Sequence, residues 1–321
     1  MTVNEAEQAV YSGRQLSREE ILSLADAPLD ELCAAADRIR EHFCGDSFDM
    51  CTIINGKSGR CPEDCKYCAQ SAHNCTGVRE YPLIDKEKIV AEALKNHSRG
   101  VPRYSVVCSG TRLSDKEVDS LCEAVREIKR QCDISVCVSV GMLNNESYSR
   151  LRDAGTDRVH NNLETSRRYF PSICTTHSYD DKLTAIRAAL DTGMEVCCGG
   201  LIGMGETLED RIDMLIEIRG LGVRSIPVNL LNPIKGTPFG ELPVLDYDEM
   251  TLTIALFRFT LPDGYIRLAG GRGLMPDTGE RLLKSGANAS ISGDLLTTSG
   301  ISLDRDMKML DELGYKVGAY R

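Results

Sequence analysis

No run of basic residues interrupts this 321-residue sequence, and its net charge is −10. A nucleic-acid face needs clustered lysine and arginine, so that class of function is set aside. No apolar stretch approaches the length that spans a bilayer. The opening residues, Met1-Thr-Val-Asn-Glu-Ala-Glu7, are acidic and lack the apolar segment of a secretory signal. The expectation is a cytoplasmic chain with neither nucleic acid nor membrane as partner. Low-complexity linkers and internal repeats are also missing. So is the dinucleotide-binding fingerprint G-x-G-x-x-G, because Gly199-Gly-Leu-Ile-Gly-Met-Gly205 has a different spacing.

Cysteine is what the chain has in excess, with fourteen residues. Disulfides belong to oxidising compartments, and no export signal leads there. Cys122 shares a helical face with Val118, Leu121 and Val125 and reads as a small core residue. Cys61, Cys65 and Cys68 are different. They stand in Arg60-Cys-Pro-Glu-Asp-Cys-Lys-Tyr-Cys-Ala-Gln70, as C-x-x-x-C-x-x-C. Pro62 and the nearby Gly56 and Gly59 favour a loop, on which three thiolates converge. Structural zinc usually takes four ligands in two spaced pairs, and no second C-x-x-C stands nearby. Three cysteines on a four-iron cubane leave one iron open to a ligand.

The remainder alternates between β-like and helical patterns. Helices are expected over residues 4–10, 17–25 and 29–43, as an N-terminal helical extension (1–45). Strands are expected at Phe48–Ile54, Arg103–Cys108, Ile134–Val140, Arg158–Leu163, Glu195–Leu201, Ser225–Leu231, Tyr265–Ala269 and Ala287–Ser292. Capping boxes at Ser114–Glu117 and Thr207–Asp210 open two of the intervening helices. Eight strands each followed by a helix predict an α/β fold, a (β/α)8 TIM-type barrel occupying residues 46–321. Strand parity refines this. In Ser135-Val-Cys-Val-Ser-Val140 the valines face the outer helices, so Cys137 faces the axis. The same reasoning turns Ser225, Asn229 and Arg267 inward. Small, polar and thiol groups inside a barrel imply a cavity, since such groups are costly to bury unsatisfied.

The string Cys61-Pro-Glu-Asp-Cys-Lys-Tyr-Cys-Ala-Gln-Ser71 resembles the radical S-adenosylmethionine (SAM) enzymes, and the biotin synthase family in particular. The resemblance runs from about Met50 to the last barrel strand. It implies a [4Fe–4S] cluster on Cys61, Cys65 and Cys68 whose open iron holds SAM. It also implies a deep auxiliary cluster, two-iron in that family, held by three strand cysteines and an arginine. Cys137, Cys197 and Arg267 match three of those ligands. The remaining family cysteine falls on Ser105, with Cys108 nearby but on the opposite strand face. Cys51, at a position that lines the auxiliary site, is the better placed thiol. A four-iron cluster with an extra, exchangeable sulfide is one consequence of that departure.

Other positions are carried over from the resemblance. Tyr67, Asn161, Asn162, Glu164, Gly199 and Gly200 are implied in SAM or substrate binding. Asn229 matches a residue that holds the substrate's ureido ring, and with Arg267 it completes the implied catalytic pair. His160 replaces a family asparagine. The implied reaction is sulfur insertion that converts dethiobiotin to biotin, with flavodoxin or ferredoxin as electron donor and a homodimer as the assembly. Hydrogenase-maturation and methylornithine-forming relatives share the barrel but not the combined Cys137, Cys197 and Arg267 set. A non-catalytic iron–sulfur carrier would not need an open-iron motif together with a polar cavity.

Overall fold

The computed structural model describes residues 1–298 and 300–319. Three helices come first: α1 (Val3–Tyr11), α2 (Arg18–Ser23) and α3 (Leu29–Cys44). The first two begin at capping boxes. Thr2 and Ser17 each accept from an amide three residues on, while Glu5 and Glu20 reach back. Val3, Ala6 and Val10 of α1 and Leu32, Ala35 and Ile39 of α3 belong to the same continuous apolar core as the rest of the chain.

The barrel then runs β1 (Ser47–Lys57), α4 (Lys86–Ser98), β2 (Arg103–Cys108), α5 (Asp115–Gln131), β3 (Ser135–Ser139), α6 (Asn145–Asp153) and β4 (Arg158–His160). Next are α7 (Phe170–Ile173), α8 (Tyr179–Asp191), β5 (Glu195–Cys197), β6 (Gly200–Ile202), α9 (Leu208–Gly220) and β7 (Ser225–Leu230). It ends with α10 (Tyr247–Thr260), β8 (Tyr265–Leu268), α11 (Glu280–Leu283), β9 (Ala289–Ser292), α12 (Leu303–Glu312) and β10 (Lys316–Gly318). The expected capping boxes are present, from Ser114 to Glu117 on α5 and from Thr207 to Asp210 on α9.

The strands pair in parallel in the order β1-β2-β3-β4-β5-β7-β8-β9, and β9 returns to β1 to close the barrel. Closure aligns Asp49 with Ala289 and Thr52 with Ser292. All eight expected barrel positions are occupied, with two changes in extent. Expected strand Arg158–Leu163 leaves the ladder after His160. Expected strand Glu195–Leu201 is two pieces, β5 and β6, interrupted at Cys198 and Gly199. The break follows from close packing: a Cβ on Gly199 would lie 2.0 Å from the Pro227 carbonyl oxygen, and one on Gly200 2.4 Å from that of Glu164. Unexpected β10 pairs with the start of β1, outside the barrel, matching Ser47 to Lys316 and Asp49 to Gly318.

Strand β1 is the longest, at eleven residues, and has three neighbours: β10 and β9 along its first half, β2 along its second. It leads directly into the Cys61–Cys68 loop. Near its end the register slips between Asn55 and Lys57, so that Lys57 aligns with Cys108. Such a bulge turns the chain at a barrel rim. The valines of β3 are fully buried in the outer core, whereas Cys137 and Ser139 line the interior, as parity requires. Cys122 is a core residue at 2% exposure.

Candidate active site

A cavity of about 420 Å³ occupies the barrel from its floor to the loops that follow the strands. At its mouth is the loop with Cys61, Cys65 and Cys68, whose backbone is fixed by its own hydrogen bonds. The Cys61 amide donates to the Gln70 carbonyl at 3.1 Å, and Ala72 donates to the Cys61 carbonyl at 2.7 Å. Cys68 closes a turn onto the Cys65 carbonyl at 3.1 Å. The Asn74 side chain donates to the Cys65 and Cys68 carbonyls at 3.2 and 2.8 Å. Gln70 accepts from Gly59 at 3.1 Å, which ties the loop to the end of β1. The three thiols and Tyr67 face the cavity.

Partway down lie residues from the end of β4 onward. Asn161 accepts from Lys182 at 2.8 Å, and Asn162 donates to Glu164 at 3.3 Å while accepting from the Gly199 amide at 3.1 Å. Glu164 is held at φ 72°, a left-handed conformation that non-glycine residues adopt mainly where the surroundings impose it. Asn229 bridges two backbones, donating to the Gly200 carbonyl at 3.1 Å and accepting from Gly270 at 2.9 Å. Its amide keeps one further donor and one acceptor site for a ligand. Gly199 and Gly200 stand behind this layer. Their missing side chains accommodate Pro227 and Glu164.

The floor holds Cys51, Cys137 and Cys197, at 6, 4 and 5% exposure. The Arg267 guanidinium lies 3.5 Å from the Cys51 sulfur, and Ser225 donates to the Cys197 sulfur at 3.2 Å. Burial raises the Cys51 thiol and pushes Cys137 up to about 12. Burial also raises Cys197, but a hydrogen bond from His160 and the charges of Arg267 and Arg158 outweigh it, bringing the thiol down to about 6. Ser105 pairs with Cys137 across β2 and β3, and its hydroxyl bonds that thiol. Cys108 joins the apolar core at the rim, beside the bulge of β1, and also borders the cavity.

Beneath the thiols is a charge cluster that the motif reading missed. The fully buried Asp49 carboxylate accepts from Arg267 at 2.7 Å and Arg158 at 2.9 Å, with Arg103 at 3.5 Å. Burial raises its pKa, yet the three guanidinium groups hold it below the ordinary carboxylate range. Three cations on one buried anion leave an excess of positive charge directly under the thiols, even with Glu195 on the outer side of Arg158 at 2.6 Å. That excess suits thiolates and an anionic sulfide cluster. Parity puts Asp49, Arg103 and Arg158 on the same strand faces as Cys51, Ser105 and His160, two residues on, but does not say that they meet. Lys182, Cys174 and His177 also line the cavity and belonged to no motif.

A parallel barrel with a three-cysteine loop at its mouth defines a radical SAM enzyme, and the superfamily model "Radical SAM superfamily" matches residues 55–218. The "Biotin and Thiamin Synthesis associated domain" matches residues 227–316. The chain belongs to the biotin synthase family. It is 54% identical to the biotin synthase of Akkermansia muciniphila over 96% of both chains. It is 52% identical to that of Clostridium botulinum strain Alaska E43, over 98% of this chain and 99% of the relative. Among solved structures, methylornithine synthase superposes with a TM-score of 0.82 at 20% identity, covering 98% of this chain and 97% of that one. The hydrogenase maturase HydG gives 0.85 at 19%, covering 99% of this chain and 76% of that one. At that identity the two structures share the fold alone. Family membership implies an iron–sulfur cluster with SAM and an auxiliary cluster.

Proposed function

We propose that the chain converts dethiobiotin to biotin by inserting sulfur between two unactivated carbons. The observation that carries this reading is the placement of two thiol sets, Cys61, Cys65 and Cys68 above and Cys51, Cys137 and Cys197 below, on one continuous cavity. When bound, SAM on the upper four-iron cluster supplies a 5′-deoxyadenosyl radical, and the auxiliary cluster supplies the sulfur. The upper loop has the donor set for the first group: three soft thiolates, with backbone geometry fixed by Asn74 and Gln70. The floor has three thiols over a cationic base.

The protein's own contribution is position and shelter. Asn161, Asn162 and Glu164 offer polar groups at the height where SAM and substrate would meet, and Lys182 orients Asn161. The free donor and acceptor of Asn229 suit a ureido ring. The apolar walls, including Leu201, Leu230 and Ile291, would hold the substrate close and keep out other hydrogen donors that compete for a carbon radical. In this reading Cys51, Cys137 and Cys197 are the auxiliary thiolates, Arg267 stands beside Cys51, and Ser105 supports Cys137 without ligating. The shift of one thiolate to β1 favours a four-iron cluster with an exchangeable sulfide over the two-iron form. Flavodoxin or ferredoxin as electron donor, a homodimer and a cytoplasmic setting belong to the same proposal. Product analysis tests it: anaerobic protein with dethiobiotin, SAM and reductant yields biotin and 5′-deoxyadenosine. Formation of 5′-deoxyadenosine on another substrate alone would overturn it.

A further inference from the structure

Beside the upper thiol loop, three side chains from two separate chain segments converge. Glu63 lies between Cys61 and Cys65. Cys174 and His177 lie in the loop joining α7 to α8. Their carboxylate, sulfur and imidazole atoms are all within 4.8 Å of one another. Glu63 Oε2 is 2.6 Å from His177 Nδ1, and Cys174 Sγ is 3.3 Å from the same nitrogen. A proton relay through histidine would place the thiol on one ring nitrogen and the carboxylate on the other. Here Nε2 is 4.0 Å from the sulfur, and both partners crowd Nδ1. One nitrogen carries one proton or one lone pair, so it cannot serve both in-line. The Cys174 thiol donates instead to Asp64 Oδ1 at 3.2 Å, and a single cation at the centre would take the place of that proton and serve all three side chains.

The surroundings are those of a prepared ligand set. The Glu63 and His177 side chains are each 10% exposed, and Cys174 is 2% exposed. Thr111 and Thr176 hydroxyls both donate to the Glu63 carboxylate, the kind of outer hydrogen bond that orients a metal-binding oxygen. Phe170 packs edge-on against the His177 ring at 5.5 Å between centroids and limits its rotation. Lys66 donates to the Ile173 carbonyl at 2.9 Å, and Asp64 donates through its amide to Thr176 at 3.1 Å, so the two segments are already sewn together.

We propose that Glu63, Cys174 and His177 form a mononuclear site for zinc, with the fourth position open to water. One thiolate, one imidazole and one carboxylate suit a borderline-soft divalent ion, and hard cations would reject the sulfur. Tetrahedral zinc with ordinary bond lengths separates sulfur from nitrogen by about 3.5 Å, close to what the side chains already have. The carboxylate needs to withdraw from the imidazole by only about 0.7 Å to reach the corresponding nitrogen–oxygen separation. The ion would clamp the upper thiol loop to the α7–α8 loop at the wall of the same cavity, where the Cys174 thiol also hydrogen-bonds that of Cys65.

The test uses the full chain with its iron–sulfur clusters loaded, given a small excess of zinc and then dialysed. Elemental analysis should find close to one zinc per chain, and X-ray absorption at the zinc edge should find a single sulfur neighbour among nitrogen and oxygen. His177→Ala and Glu63→Gln should each weaken zinc retention at least tenfold, with circular dichroism of each compared with the parent. Less than about a fifth of a zinc per chain in the parent overturns the proposal. So does zinc with three sulfur neighbours, which would mean capture by the Cys61–Cys68 loop. These readouts are independent of biotin formation, so the site can fail while the proposed reaction stands, and the reverse.

Discussion

At the scale of single residues, two substitutions separate the upper from the lower part of the cavity. Cys65 is one of three thiols on the loop, and two thiolates do not hold a four-iron cluster securely. Cys65→Ala is expected to reduce 5′-deoxyadenosine formation at least a hundredfold, with the barrel still folded by circular dichroism. Undiminished cleavage in a folded, soluble variant would remove the loop from the SAM site. Arg267 acts elsewhere. It shares Asp49 with two other guanidinium groups and touches Cys51, so its loss lowers the positive charge beneath the thiols without leaving Asp49 unpaired. Arg267→Met should lower biotin yield per 5′-deoxyadenosine several-fold while SAM cleavage changes less. Equal losses of both would mean that the residue serves only to hold the floor together. Cys51→Ala bears on the auxiliary ligand set. Iron and sulfide counts with Mössbauer spectra should show the auxiliary cluster lost or converted, and an unchanged cluster would exclude Cys51 as a ligand.

Among the elements, the interrupted fifth strand is the sensitive one. Gly199 stands where β5 gives way to β6, and a methyl group there would meet the Pro227 carbonyl at 2.0 Å. Backbone has to move to admit it, and overpacking of this kind costs about 1–3 kcal/mol. Gly199→Ala should therefore lower the urea midpoint, and it should also weaken SAM binding, because the Gly199 amide positions Asn162 at 3.1 Å. A variant with parental stability and affinity would show that the strand break tolerates a side chain. The sequence pattern is silent on this interruption. Glu195-Val-Cys-Cys-Gly-Gly-Leu201 reads as one strand, because the steric demand comes from β7 and from Glu164, distant in the chain. Likewise Arg158–Leu163 is expected to be one strand, yet the ladder stops at His160, and Asn161 and Asn162 turn into the cavity.

For the whole molecule, the first forty-five residues are a packing layer of the barrel. Leu32, Ala35, Ala36 and Ile39 of α3 are fully buried in the same core as Ile254 and Phe257 of α10. We expect a chain lacking residues 1–45 to be recovered insoluble, measured as soluble yield and far-ultraviolet dichroism. A folded, monodisperse barrel would make the extension a separate unit. Much of the architecture was legible from periodicity: the eight barrel positions, the inward turn of Cys137, Asn229 and Arg267, and both capping boxes. Three things were not. The pairing of β10 with β1 depends on three residues too short to carry a pattern. The Asp49 cluster and the Glu63, Cys174 and His177 group join residues far apart in sequence, and each looks ordinary where it stands. Parity places such residues on a face of the barrel, but only closure says which ones meet.

The long first strand has a further consequence. It carries Asp49 and Cys51 at the floor and delivers the chain to Cys61 at the mouth, so one rigid ribbon sets the vertical separation of the two thiol sets. The six residue steps from Cys51 to Lys57 at about 3.3 Å each make a ruler of about 20 Å, shortened by the slip at Gly56. Rulers of this kind have no fine adjustment, since the smallest change in length also turns every later side chain over. The distance a substrate must bridge in this barrel is therefore inherited whole, and chains that work on longer or shorter molecules would have to alter their loops rather than this strand.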